Sequence, residues 1–182
     1  KIVYFSVDGS PVAPRRKIVD IAKCDACHTG LNMHGGGRNQ IEACVMCHNP
    51  IRQGGSGENA ESVDFRWMIH KLHSGAELTR GYKFGNYDYS GIGFPGRLNN
   101  CNMCHVGNSQ QLPVKAVQPV VTPKGPINPT PPTTAACTSC HDSIAAVSHA
   151  VGNTNAIGES CSVCHGPTSE FSVDKVHAPE VQ

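Results

Sequence analysis

The pattern Cys-x-x-Cys-His occurs five times in this chain of 182 residues: CDACH from Cys24, CVMCH from Cys44, CNMCH from Cys101, CTSCH from Cys137 and CSVCH from Cys161. The five copies use all ten cysteines, which constrains the fold more than any hydrophobic pattern does. Two thiols two residues apart, followed at once by an imidazole, form the attachment signature of c-type haem. The thiols reach both vinyl groups on one porphyrin edge while the histidine turns under the ring to bind iron. The expectation is five covalently bound c-type haems, on Cys24 and Cys27, Cys44 and Cys47, Cys101 and Cys104, Cys137 and Cys140, and Cys161 and Cys164. His28, His48, His105, His141 and His165 are the expected proximal ligands.

Zinc competes for the same residues. The gaps from Cys27 to Cys44 and from Cys140 to Cys161 fit four-cysteine zinc ribbons. Zinc, however, gives no reason for a histidine after every second cysteine, and it leaves Cys101 and Cys104 without a partner pair. Structural disulfides account for the repeated two-residue gap less well still.

Removing the five motif histidines from the ten leaves His34, His70, His73, His149 and His177. Five irons need five sixth ligands, so each spare histidine is a candidate distal ligand and every haem is expected to be bis-histidine. Taken singly, any of them also reads as a surface or hydrogen-bonded histidine. Numbers and context favour ligation, because iron supplies the partner that an imidazole beside a porphyrin otherwise lacks. In FRWMIHKLHSG, His70 and His73 lie about 4.5 Å apart along a helix and about 60° around it. They share a face but diverge, which predicts service to two different haems. Trp67, Met68, Ile69 and Leu72 are expected to pack against porphyrin and neighbouring chain.

With 19 glycines, 13 prolines and only 5% aromatic residues, the chain is poorly equipped to fill a conventional core. The expected fold class is therefore mainly α with extensive irregular coil, a multihaem cytochrome c domain with the porphyrins as its core. Helices should be short, near the motifs and joined by turns. Residues 1–10, with KIVYFSV, read as a strand remnant of a preceding β domain, and residues 11–182 as the pentahaem domain. Within it, the proline-rich stretch 112–136 is expected to run as an extended arm over the surface. The loop from Tyr82 to Gly96 is expected to pack over haem edges. In HGGGR, the glycines after His34 are expected to bring backbone close to a porphyrin face, and Arg38 reads either as a propionate partner or as solvated.

The formal charge of +1, with Arg15, Arg16 and Lys17 as the one short basic cluster, gives no sign of a nucleic-acid partner. Each ferric haem with two ionised propionates adds about −1, so +1 − 5 gives about −4 for the loaded chain. No apolar run approaches the length of a membrane span, and no signal-peptide pattern opens the chain, so any export signal is expected to lie outside it.

Beyond haem attachment, VAPRRKIVD running into KCDACH, then HGGGRN, CVMCHNP, VDFRWMIHKLHSG, FPGRLNNCNMCH and CSVCHGP with a trailing VH resemble the OmcA/MtrC family of cell-surface decahaem cytochromes. The resemblance spans nearly the whole chain. It implies one pentahaem domain from an architecture of two such domains alternating with split β-barrels. It also implies an exported protein at the cell surface, outer membrane or extracellular, with the periplasm as the alternative. His34, His70, His73, His149 and His177 lie in segments similar to the family's distal-ligand segments. Only five of ten haem motifs are present, no barrel is complete and no cysteines remain for the family's short disulfide loop. Properties of the barrels are therefore not carried over.

The expected function is electron transport along five low-potential bis-histidine haems, since a methionine ligand, which raises potential, is not called for. Expected partners are other redox proteins or cytochrome domains, with ferric minerals, soluble metals or flavins as possible extracellular acceptors. The chain is read as a carrier rather than a dedicated catalyst, with terminal metal reduction left open. Two other classes compete. A nitrite or hydroxylamine reductase needs an open iron position, and neither a lysine-substituted motif nor a shortage of histidines marks one here. A polymerising cytochrome filament subunit would share the same motifs.

Overall fold

The computed structural model describes residues 1–114 and 117–178. Its helices are short. Among the described residues they are α1 (Ile21–His28), α2 (Ile41–Cys47), α3 (Phe65–His73), α4 (Pro132–Thr138), α5 (Ile144–Gly152), α6 (Cys161–His165) and α7 (Val173–Val176). Three antiparallel hairpins of two-residue strands punctuate them: β1 (Gln53–Gly54) with β2 (Glu61–Ser62), β3 (Lys83–Phe84) with β4 (Tyr87–Asp88), and β5 (Thr154–Asn155) with β6 (Gly158–Glu159). The composition is 33% helical and 10% strand. "Mainly α" is thus corrected to a mixed fold dominated by coil: no described helix exceeds nine residues, and glycine or proline lies at or within three residues of the end of most of them. No described helix is long and apolar enough to cross a membrane.

Short helices need their ends satisfied, and side chains do much of this. Asp64 caps α3 by accepting from the Trp67 amide at 3.2 Å, and Lys71 lies in its last turn, where the helix dipole favours a cation. Pro132 opens α4, where a missing N–H costs nothing. Glu159 reaches across from β6 to accept from the amides of Thr133, at 2.9 Å, and Thr134. Its carboxylate thereby ties the fifth motif's hairpin to the fourth motif's helix.

A polypeptide core does exist, around α3. Val63, Trp67, Met68, Leu78, Tyr82, Val120 and Ala135 form one buried cluster, with Phe65, Ile69, Leu72, Phe84 and Tyr89 packed against it. It is small: among the described residues, thirteen buried polar or charged residues outnumber eleven buried hydrophobic ones. The accessible surface, 11414 Å², exceeds by about a third the roughly 8,500 Å² typical of a folded monomer of this mass. Much surface is therefore left unburied by the polypeptide itself.

The proline-rich stretch is not the surface arm expected. Val120 and Thr130 pair through two backbone hydrogen bonds of 2.8 and 2.7 Å, folding the segment back on itself. Val120, Thr122 and Thr130 are each 0% exposed. Proline content indicated an extended backbone, but Val120 joins the cluster around Trp67 and Met68 of α3, and Thr122 and Thr130 bond to each other and to the Ile127 carbonyl. Lys115 and Ala116 of that stretch lie outside the described residues. The aromatic loop also divides. Tyr82 is buried and donates its hydroxyl to the Ser62 carbonyl at 2.7 Å, with Phe84 and Tyr89 stacked nearby, whereas Phe94 packs edge-on against His73. Residues 1–10 pair with no other strand among the described residues and leave Val3, Phe5 and Val7 exposed.

Candidate functional site

Each motif sits at or just beyond a helical turn, which brings positions one, four and five of Cys-x-x-Cys-His to one side. Cys24, Cys27 and His28 close α1; Cys44 and Cys47 lie in α2 with His48 at its C-cap; Cys161, Cys164 and His165 make up the functional side of α6. Cys137 ends in α4 with Cys140 and His141 just after it, and Cys101 opens a 3₁₀ turn that leads to Cys104 and His105.

The spare histidines come from elsewhere in the chain, and every one of them faces a motif histidine. His28 lies opposite His73 with ring centres 6.1 Å apart, His34 opposite His48 at 5.8 Å, and His70 opposite His105 at 6.1 Å. His141 lies opposite His177 at 5.8 Å and His149 opposite His165 at 6.2 Å. All ten histidines are used, and no pair joins two motif histidines or two spare ones. An iron bonded to two imidazole nitrogens at about 2.0 Å, with each ring centre about 1.1 Å further out, would set the centres about 6.2 Å apart. His70 and His73, one helical turn apart on α3, face different partners, from the third and first motifs respectively.

Hydrogen bonds at Nδ1 orient six of the ten rings. Nδ1 of His48 contacts the Val63 carbonyl at 2.8 Å, His73 that of Ile69 at 2.8 Å, His165 that of Phe171 at 2.8 Å and His177 that of Val173 at 2.9 Å. A carbonyl only accepts, so these rings carry their proton on Nδ1 and present Nε2 as a lone pair. His105 and His70 contact the hydroxyls of Ser109, at 2.9 Å, and Ser139, at 3.1 Å. His70 is part-buried by area but deep among protein atoms. That desolvation, with His105, Arg66 and His73 adding repulsion, holds its imidazole down at about 4. Burial also pushes His105 and His141 down, so these rings stay neutral and ready to ligate.

The cysteines give the complementary reading. All ten are unpaired, and among the described residues no group of three or more His, Cys, Asp or Glu converges on one point. Burial raises the thiols of Cys24, Cys44, Cys101, Cys104 and Cys161 above the usual range, opposite to the lowered thiol of a redox Cys-x-x-Cys motif. In HGGGR, His34, Gly35 and Gly36 all adopt left-handed φ values of 52°, 81° and 88°. The resulting tight turn is closed by the Met33–Arg38 bridge and presents the His34 ring. Arg38 donates to the His34 carbonyl at 2.8 Å.

A family model for outer membrane cytochromes, MtrC/MtrF-like, domains II/IV, matches residues 16–178. The chain belongs to this family. Among solved structures, the outer membrane decahaem cytochrome OmcA is similar, with a TM-score of 0.58 and 25% identity over 94% of this chain. The chain spans 25% of the OmcA chain. A comparison with curated proteins found no match. Within this MtrC/MtrF-like domain, sequence reasoning had not found Ser109, Ser139, Glu159 or Asp142, which support the motifs from outside them. Asp142 accepts from the amides of Thr79 and Arg80, both at 2.8 Å, and so fastens the chain after α3 to the fourth motif. Only Ser139, inside CTSCH, and Asp142, next to it, had a positional hint.

Proposed function

We propose that this chain is a pentahaem electron-transfer domain whose five c-type haems are each held by two thioethers and two imidazoles. The observation that carries the reading is the complete pairing of five motif histidines with five others at the spacing of a bis-histidine iron. The assignments are Cys24, Cys27, His28 and His73; Cys44, Cys47, His48 and His34; Cys101, Cys104, His105 and His70; Cys137, Cys140, His141 and His177; and Cys161, Cys164, His165 and His149. When bound, each haem supplies one-electron exchange at its iron. The polypeptide supplies ligand orientation. Nδ1 acceptors lock ring tautomers, and α3 carries ligands for the first- and third-motif haems at a spacing set by one helical turn. The unburied surface noted above supports porphyrins completing the core.

A partner for every motif histidine favours carriage of electrons over catalysis at an open iron position. Membership of an outer membrane cytochrome family supports an exported, cell-surface setting in which electrons pass through neighbouring cytochrome domains or redox proteins. Ferric minerals, metals or flavins are the proposed acceptors of the larger protein. Intact mass under denaturing conditions should exceed the polypeptide by about five haem masses, roughly 3 kDa. His70→Ala and His73→Ala should each produce one high-spin haem, and the double variant two. A bare-chain mass overturns the reading, and a single altered haem in the double variant overturns the separate roles on α3.

A further inference from the structure

The third-motif pair differs from the other four. In each of those, one ring rests on a backbone carbonyl. In the His70–His105 pair both rings rest on serine hydroxyls. Each serine spends its own proton elsewhere: Ser109 donates to the Ile18 carbonyl at 2.7 Å and Ser139 to the Ala136 carbonyl at 2.6 Å. A hydroxyl has one proton, so towards the imidazole each must accept. Both rings are thereby fixed as Nδ1–H donors with Nε2 presented to each other. Ser139 is 0% exposed, so water does not replace it.

Hydrogen bonding at Nδ1 also sets how much electron density a ring gives to iron. A stronger acceptor makes the ligand more basic and stabilises the ferric state. Donation to a carbonyl strengthens a hydroxyl as an acceptor, but its oxygen lacks the resonance-enhanced negative charge of a peptide carbonyl and remains the weaker acceptor of the two kinds.

We propose that Ser109 and Ser139 are positioning residues that lock the His70–His105 ligand pair and set the reduction potential of its haem above those of the four carbonyl-backed haems. The proposal rests on the bis-histidine reading given above. It makes the third-motif haem the first of the five to be reduced.

The test is a spectroelectrochemical titration of the full haem-loaded chain. Ser109→Ala and Ser139→Ala remove an acceptor, so each should move a single one-electron step, the most positive one, further upward. The expected size is about a tenfold higher ferrous-to-ferric ratio at fixed potential, 59 mV for a one-electron couple. Low-spin g values of one haem should change with it, because a ring now held 19° from its partner becomes free to turn. Ser109→Thr, at a part-buried site, keeps the hydroxyl and should restore the parent potential; it and Ser109→Ala keep the test decisive if Ser139→Ala does not fold. No shift, a shift in a lower step, or failure of threonine to restore the potential overturns the role of the serines. His105→Ala separates the two ideas: if it creates no high-spin haem, the ligand reading itself falls.

Discussion

The segment before Ile41 and the segment from Ala60 to Tyr82 carry the same kind of functional residue on unlike foundations. No residue from 1 to 40 is buried, although α1 there presents Cys24, Cys27 and His28. From Ala60 to Tyr82, by contrast, Val63, Trp67, Met68, Leu78 and Tyr82 form most of the polypeptide core, and α3 presents His70 and His73 from its surface. The first segment has backbone bonds and caps but little apolar contact, so its order depends on what it holds. The second has packing of its own and can position ligands for neighbours. His73 links the two by facing His28.

The largest expected effect breaks the weaker side. Cys24→Ala with Cys27→Ala should lose one haem mass, about 0.6 kDa, and hydrogen-exchange protection across residues 18–40 should fall towards that of a frayed segment, while residues 60–82 keep theirs. Equal loss in both segments would mean that they do not differ in self-sufficiency. On the packed side, Trp67→Ala removes a side chain only 4% exposed and should destabilise by about 3–5 kcal/mol in denaturant, whereas Phe5→Ala, at a side chain 79% exposed, should stay within about 0.5 kcal/mol.

Asp142→Asn should cost about 1.5–3 kcal/mol, since its carboxylate accepts two backbone amides and an amide oxygen replaces only one of these bonds. Increased exchange at the Thr79 and Arg80 amides would place the loss where expected. The smallest effect concerns Glu61, whose carboxyl burial pushes up despite the Ser62 amide and the charge of Lys71. A folded pKa above the unfolded one means stability is greatest below the unfolded carboxylate range and declines as pH rises through the folded value. Glu61→Gln should flatten that decline and leave the protein equally or slightly more stable at neutral pH. A steeper decline would show that the charged form is the stabilised one.

Much of the candidate site was legible because the chemistry is local. Cys137, Cys140 and His141 need only one turn of chain between them, and the count of His34, His70, His73, His149 and His177 against five motifs needs no fold at all. Divergence of His70 and His73 followed from helical geometry, since a single turn has fixed angles. Composition misled at Val120, Thr122 and Thr130, where proline content suggested a solvated arm. Burial of Val120 depends on what α3 offers from far away in sequence. Tyr82 was likewise not foreseen as a core residue bonded to the Ser62 carbonyl.

The sequence by itself determined the number of Cys-x-x-Cys-His motifs, the identity of the five motif histidines and the supply of five more, because these depend on residue type and spacing within a few residues. Only the tertiary structure decided that His28 faces His73, that His70 faces His105, and that Ser109, Ser139, Glu159 and Asp142 hold the motifs in place. Those are contacts between segments far apart in the chain, and their energies depend on loop closure and packing that no local pattern encodes.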